Sequence, residues 1–210
     1  MRHVLEASTD GGSVVLWDPG ALPDGFDVGY AADDSACVDA VFSVPTAYAF
    51  PDTGDGSFFL HLWIDEVIAD DYERELVDIA SLEGITDPEF LNVPTGRLHY
   101  GGIEYIFRDR NPDSEGHMGA SCTVEPGTYR LAAYQTGYSR LEIRRMVSEA
   151  MPPLSGSFLM ILLSGIFKWA DRRSREYRRT MDEYERKYPT FVVSLTRVGD
   201  AEPVRVPGSP

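Results

Sequence analysis

Runs of apolar residues separated by turn residues predict a mainly β fold. The clearest run covers residues 58–67, in which the even positions Phe58, Leu60, Leu62 and Ile64 form an apolar face and the odd positions a mixed one. This alternation predicts a strand with one face on a core and the other on a partly solvated surface. Shorter β-branched or apolar runs predict further strands at 13–17, 41–44, 48–50, 91–93, 97–100, 103–107, 122–124, 129–134 and 191–195.

Proline and glycine punctuate these runs. A valine, a proline and a small residue recur in the stretches that begin at Val44, Val93 and Val124. Proline favours the entry of a strand or the edge of a sheet, and glycine permits the turn that follows. We interpret these stretches as strand corners of an antiparallel β-sandwich. Residues 73–79 stay ambiguous between a strand and a short helix.

The C-terminal third has a helical pattern. From Leu154 onwards an apolar run leads into a charged stretch, and its apolar positions recur every three, four or seven residues as far as Tyr188. This spacing predicts one long amphipathic helix, which Pro189 ends. The predicted fold is therefore α+β and mainly β, an antiparallel β-sandwich with a long C-terminal helix packed on it and a final strand. We expect an acidic β-rich domain over 1–150, the helix and strand packed on it over 151–198, and a flexible tail over 199–210.

Residues 154–167 raise the question of a membrane. The apolar run is shorter than the 18 or more residues of a usual spanning helix, which favours a buried helix that covers the sheet. Five arginines between positions 172 and 179 resemble the positive flank of a membrane segment. A membrane-associated accessory protein that uses residues 154–167 therefore stays as an alternative.

The composition is that of a globular protein with an acidic surplus. Acidic residues outnumber basic ones 34 to 19 in a chain of 210 residues, which gives a formal net charge of −15. Residues 1–150 contain 27 acidic and 9 basic residues, whereas residues 151–210 contain 7 and 10. This balance excludes ordinary nucleic-acid binding, which needs basic residues to replace counterions. It suits either a merely soluble surface or the attraction of a basic protein partner.

Motifs for catalysis are missing from the sequence. The four histidines are scattered, and there is no zinc-protease, CxxC, nucleophile-elbow or phosphate-loop pattern. His61 and Asp65 lie roughly 13 Å apart along a strand, too far to bind one metal together. His99 and Glu104 flank a glycine pair, but two ligands do not make a metal site. We expect no catalytic residues, no cofactor and no metal; a metal-dependent hydrolase with His61 or His99 at strand ends is the enzymatic alternative.

The two cysteines, Cys37 and Cys122, each lie among small or apolar residues, which is typical of buried free thiols. The first residues, from Met1 to Glu6, lack the apolar core of a secretory signal. We therefore expect a cytoplasmic protein, in a compartment that keeps thiols reduced.

Several stretches resemble one protein family. They are residues 29–36 (GYAADDSA), the strand from Phe58 to Leu62, residues 72–77 (YERELV), residues 82–85 (LEGI) and residues 124–131 (VEPGTYRL). In this order they are similar, over residues 20–137, to the competence protein J family of small bacterial inhibitors of a DNA-entry nuclease. The resemblance implies a non-enzymatic protein that binds a nuclease and blocks its DNA site. It transfers no catalytic residue.

The acidic residues supply candidates for such an interface. The densest stretch follows the strongest predicted strand. Its candidate partner-binding residues are Asp65, Glu66, Asp70, Asp71, Tyr72 and Glu73, and Asp33 and Asp34, earlier in the family-like region, are two more. Carboxylates could occupy the basic cleft of a nuclease or toxin in place of phosphates. Tyr72 suits an interface anchor. A solvated acidic loop is the other interpretation of this stretch.

Overall fold

The computed structural model describes residues 1–10, 12–22, 44–50, 56–66, 83–84, 89–106, 119–136, 138, 140–151 and 166–201. In these ranges the strands are β1 (Arg2–Thr9), β2 (Val14–Trp17), β3 (Ala47–Phe50), β4 (Gly56–Ile64), β5 (Glu83–Gly84), β6 (Glu89–Val93), β7 (Arg97–Gly102), β8 (Ala120–Thr123), β9 (Gly127–Gln135) and β10 (Phe191–Gly199). The helices are α1 (Ile103–Ile106), α2 (Arg140–Ala150) and α3 (Ile166–Lys187). The chain is therefore α+β and mainly β, as the sequence predicts.

The strands form two sheets. A six-stranded sheet has the order β1-β4-β10-β9-β5, with β6 also paired to β9, and a four-stranded sheet has the order β3-β2-β7-β8. Strands β4 and β10 run parallel, with Phe191 opposite Leu60 and Leu195 opposite Ile64. The larger sheet is thus mixed, which corrects the prediction of a purely antiparallel arrangement. Helices α2 and α3 lie in the chain between β9 and β10, which pair antiparallel.

Both sheets contribute side chains to one core. Leu60, Leu62 and Ile64 of β4 are buried there, as the alternation in the sequence predicts, beside residues of β2, β3 and β7. The predicted partly solvated face is wrong, because Phe59, His61 and Trp63 of the odd positions are buried too. Tyr48 and Phe50 of β3 bring aromatic side chains to this core. Phe50 packs against Phe191 of β10 with ring centroids 4.5 Å apart, so an aromatic contact joins the two sheets directly.

Four elements differ from the sequence-based expectation. Strands β1 and β5 have no predicted counterpart, and neither does helix α2. The predicted strand 103–107 is wrong, because residues 103–106 form the helical turn α1. The backbone N–H of Ile103 donates to the Ser13 carbonyl, 2.9 Å away, so a long-range contact redirects the chain at the end of β7.

The C-terminal helical region is described in part. Residues 154–165 of the predicted long helix lie outside the described residues, and α3 begins at Ile166. Met181 of α3 is buried against Ile143 and Val147 of α2, so the described contacts of α3 are mainly with another helix. Its last turn reaches the larger sheet, where the Arg186 carbonyl lies 2.7 Å from Nε2 of His61.

Candidate functional site

The first carboxylate after β4 is built into the fold. Asp65 has a φ of 51°, a left-handed conformation that aspartate tolerates better than most residues. Its backbone N–H donates to the Leu195 carbonyl at 2.8 Å, and its Oδ1 accepts from the Arg197 N–H at 2.7 Å. Asp65 therefore fixes the end of β4 against β10.

Glu66 continues outward from this point. Its side chain is 51% exposed, and its Oε1 lies 2.5 Å from the amino group of Met1. Such an exposed ion pair contributes little to stability because water screens it. The Glu66 carboxylate consequently remains accessible from solvent.

Arg197 draws two further carboxylates to the same end. Its Nη1 lies 3.5 Å from Oε1 of Glu125, and its Nη2 lies 3.2 Å from Oδ1 of Asp200. The side chains of Glu125 and Asp200 are 71% and 99% exposed. Asp65, Glu66, Glu125 and Asp200 together are called the acidic end below. Of the charged side chains that these contacts join, four are acidic. One, that of Arg197, is basic and joins two of the four.

The charges of the acidic end change the pKa of Tyr129. The ring is buried, and burial raises the pKa of its hydroxyl, with a further increase from the Asp65 carboxylate. The Arg197 guanidinium lowers this pKa, whereas the Glu125 carboxylate raises it. The hydroxyl donates to the Glu125 backbone carbonyl. The acidic end thus acts on a neighbouring buried group.

The end of β2 joins the same end of the molecule. Oδ1 of the buried Asp18 accepts from the Gly20 N–H at 3.0 Å and from the Thr95 hydroxyl at 2.5 Å. Its Oδ2 accepts from the Thr95 N–H at 2.9 Å. The Gly96 carbonyl accepts from the Val124 N–H at 2.9 Å. These bonds connect the turn after β2 to the corner before β9.

That corner leads back to Asp65. The Pro126 carbonyl accepts from Nη2 of Arg197 at 3.0 Å, and the Arg197 N–H binds Asp65. Gly96 has a φ of +73°, and a Cβ there would lie 2.8 Å from the Val124 carbonyl oxygen. Only glycine suits this close approach. A chain of contacts therefore runs from Asp18 to Asp65 across one end of both sheets.

Two acidic segments attach to this end. Residues 23–43 join the described chain at Leu22 and Val44, next to Asp18, whose N–H donates to the Thr46 carbonyl at 2.9 Å. Residues 67–82 follow Glu66 directly. The described chain resumes at β5, where Glu83 lies opposite Gln135 at the other end of β9. Of the candidate residues, Asp33, Asp34, Asp70, Asp71, Tyr72 and Glu73 belong to these segments and lie outside the described residues, as does Cys37.

Sequence reasoning missed two carboxylates of the acidic end and the arginine that joins them. Arg197 and Asp200 belong to no charge run or motif, and 72 positions separate Arg197 from Glu125, which lies in the family-like stretch 124–131. A signal lies only in the corner sequence 124–127, where Glu125 precedes a Pro-Gly pair. Of the 34 acidic residues, 17 lie outside the described ranges, compared with 4 of the 19 basic residues.

The two histidines of the enzymatic alternative are buried in separate places. Nδ1 of His61 lies 3.0 Å from Nη2 of Arg2, and Nδ1 of His99 lies 2.8 Å from the Ser121 hydroxyl. Burial lowers the pKa of His61 to about 4, so the ring is neutral at neutral pH. Among the described residues, no three His, Cys, Asp or Glu side chains come together in a group that could hold a metal.

The described part of the chain contains no helix that is both long and apolar enough to cross a membrane. Residues 154–165, the core of the membrane alternative, are not part of it. Cys122 is a free thiol, and burial raises its pKa to about 11.

Comparisons with known proteins give loose likenesses. No protein-family model matches the chain, and no curated protein does. A solved structure described as crocagin biosynthetic gene J has a TM-score of 0.45 and 13% identity, and the match covers 93% of this chain and 95% of that one. ComJ from Bacillus subtilis, described as an inhibitor of the DNA-degrading activity of NucA, has a TM-score of 0.41 and 12% identity over 94% of this chain and 96% of its own.

ComJ is a protein of the family that residues 20–137 resemble in sequence. The similarity is too low for the activity of either solved protein to be assigned to this chain.

Proposed function

We propose that the chain is a non-enzymatic protein that binds and inhibits a basic partner protein, with a nuclease as the favoured class of partner. The observation that carries this proposal is the acidic end. Two of its four carboxylates, Glu125 and Asp200, pair with the Arg197 side chain, and a third, Asp65, accepts from the Arg197 N–H. The chain leaves the described scaffold at the same end for the two acidic segments.

The charges of these segments support the proposal. Residues 23–43 contain five acidic and no basic residues, and residues 67–82 contain five acidic residues and one arginine. The described scaffold itself is close to neutral, with 17 acidic and 15 basic residues. Ten of the 34 acidic residues therefore belong to the two segments that leave the scaffold beside the acidic end. A local potential of this kind accelerates the approach of a basic protein and orients it.

The chemistry of a nuclease supports the choice of partner. A nuclease binds a polyphosphate, so its cleft presents basic groups, and carboxylates on a protein can pair with those groups instead. The sequence resemblance of residues 20–137 to the competence protein J family implies the same kind of partner. An inhibitor of this kind needs no catalytic residue of its own.

The proposal is tested by capture of the partner. The full chain with a C-terminal affinity tag is used as bait in a lysate of the native host, at about 50 mM and about 500 mM salt. We expect a basic protein with DNA-degrading activity in the low-salt sample, and its release at high salt. Added bait should also suppress the nuclease activity of the captured protein.

Two matched variants make the test specific. Asp70→Lys with Asp71→Lys reverses charge in the segment after Glu66, and Glu176→Lys with Asp182→Lys makes the same change in net charge on exposed positions of α3. We expect the first pair to lose the partner and the second pair to keep it. Equal capture by both pairs, or capture that is insensitive to salt, would contradict the proposed surface. If no nuclease is captured or inhibited, the proposed function is wrong.

A further inference from the structure

Strand β1 is the last strand of the six-stranded sheet, and its outer edge has a definite set of backbone groups. Met1 and Ile64 exchange both backbone hydrogen bonds, at 2.7 and 2.8 Å. In an antiparallel ladder, such pairs alternate with pairs that face outward. Because His3 lies opposite Leu62, the bonding pairs fall on odd positions of β1. The N–H and C=O groups of Arg2, Val4 and Glu6 therefore point away from β4.

This edge is accessible at its centre. Within the described ranges, no hydrogen bond joins the outward backbone groups of Val4 or Glu6 to another residue. Val4 is 40% exposed, which makes it one of few large apolar side chains with that much exposure in the described part. A pocket of about 430 Å³ opens beside Val4 and Glu6, between β1 and Ala120 of β8. An open edge of this kind is a template for another strand.

The exposed side chains of the edge are complementary to themselves. Arg2, Val4 and Glu6 project from the same face of the strand, in the order basic, apolar, acidic. We propose that this edge is a docking surface for a second copy of the chain, with β1 paired to β1 of the copy in antiparallel orientation about a two-fold axis at Val4. Each Arg2 then lies opposite Glu6 of the other copy, and the two Val4 side chains meet.

The charges select this register. Pairing about Glu6 would place two carboxylates opposite one another, and pairing about Leu5 would place Val4 opposite Glu6 and form no ion pair. Glu6 already lies 3.6 Å from Nη2 of Arg186 in its own chain. Of these registers, only the pairing about Val4 adds a pair of opposite charges between the copies, and it does so twice because the symmetry repeats every contact. Arg2 also lies 3.0 Å from His61 Nδ1, and a guanidinium has five N–H donors. The ion pair between the copies therefore uses the Arg2 guanidinium, which His61 of β4 already holds at this edge.

Sedimentation velocity of the full chain over a concentration series tests the proposal. We expect a dimer that dissociates on dilution. Val4→Pro removes the outward N–H and leaves the β1–β4 ladder without a lost bond, because Val4 does not donate to β4. It should raise the dissociation constant at least tenfold, whereas the control Val4→Thr, which keeps the N–H and the branched side chain, should change it much less. A wild-type chain that is monomeric at every concentration would overturn the proposal.

Charge exchange provides a second test that does not depend on proline. Arg2→Glu alone and Glu6→Arg alone each place like charges opposite one another, so each should weaken the dimer. The double variant with both changes restores opposite charges and should restore dimerisation at low salt. Far-ultraviolet circular dichroism checks that each variant is folded. If Val4→Pro does not fold, the charge exchange decides, and a double variant no better than the two single variants would refute the proposed register.

Discussion

The backbone N–H of Arg197 donates a 2.7 Å hydrogen bond to the Asp65 carboxylate, so one of the carboxylates at the acidic end also holds two parallel strands together. The same arginine uses its side chain to gather Glu125 and Asp200. Structure and surface charge therefore depend on the same group of residues. Substitutions can separate the two roles of Asp65, because asparagine removes the charge and keeps an acceptor oxygen, whereas alanine removes both.

Asp65→Asn should leave stability nearly unchanged, because asparagine keeps an acceptor oxygen and tolerates the φ of 51°. Asp65→Ala should lower the free energy of unfolding by about 1–2 kcal/mol, through the lost hydrogen bond and the left-handed backbone. Urea denaturation of the two variants measures this difference. Equal stability of both would mean that the bond to Arg197 contributes nothing measurable. If Asp65→Asn is as stable as the wild type, weaker partner binding by this variant is an effect of charge alone.

Asp18 stabilises the other half of the same end. The side chain is fully buried and accepts three hydrogen bonds, from Gly20 and twice from Thr95. Asp18→Ala leaves these donors without an acceptor, and we expect it to lower the free energy of unfolding by about 3 kcal/mol. Thr95→Val removes only the hydroxyl and should cost about 1 kcal/mol. Thermal or urea unfolding compares the two, and similar losses would contradict a role for the two backbone donors.

The core strands could be predicted because their pattern is local. Strand β4 alternates between an apolar and a mixed face, and Leu60 and Leu62 are buried where this alternation expects them. Strand β1 has a weaker signal, since its buried face consists of Leu5, Ala7 and Thr9, of which only leucine is strongly apolar. Its burial depends on pairing with β4, whose partner residues are 47 to 61 positions away. A local pattern does not contain that information.

The acidic end shows the same limit. Asp65 and Glu66 could be found from the sequence because they follow the strongest strand in a run of acidic residues. Glu125 and Asp200 could not, because Arg197 brings them together from distant positions. The turn α1 was also hidden, since its Ile103 N–H donates to the carbonyl of Ser13, the residue just before β2. In each case the deciding contact is long-range.

Cys122 should react slowly with thiol reagents in the folded protein. Burial raises its pKa from 9.0 to about 11, which lowers the thiolate fraction at pH 8 by about a hundredfold. In a Cys37→Ser background, we expect slow modification by a disulfide reagent under native conditions and rapid modification in denaturant. Cys122→Ser in the same background gives the zero level. Native modification at the rate of a free thiol would contradict the burial of this side chain.

His61 should make stability depend on pH in mildly acid solution. Burial is the largest cause of its low pKa, and the charge of Arg2 lowers it further, although the bond to the Arg186 carbonyl acts in the opposite direction. The folded protein therefore holds the neutral ring, with a pKa of about 4 against 6.5 for the unfolded chain. Between these values the unfolded chain binds more protons, so the free energy of unfolding falls as the pH falls from 6.5 towards 4. Above 6.5 this contribution is complete and constant.

The size of the effect identifies the group. A shift of this size corresponds to about 3 kcal/mol across the whole window. His61→Gln cannot titrate, so its unfolding free energy should fall less steeply over the same pH range, whereas the control His3→Gln should keep the wild-type slope. Urea unfolding at a series of pH values measures the slopes, and carboxylates contribute equally to all three proteins. Because His61 binds the last turn of α3, the hydrogen-exchange protection of amides near Arg186, relative to their intrinsic exchange rate at each pH, should fall as the pH falls through this window in the wild type. Parallel slopes for the wild type and His61→Gln would show that this histidine does not control the attachment of α3 to the sheet.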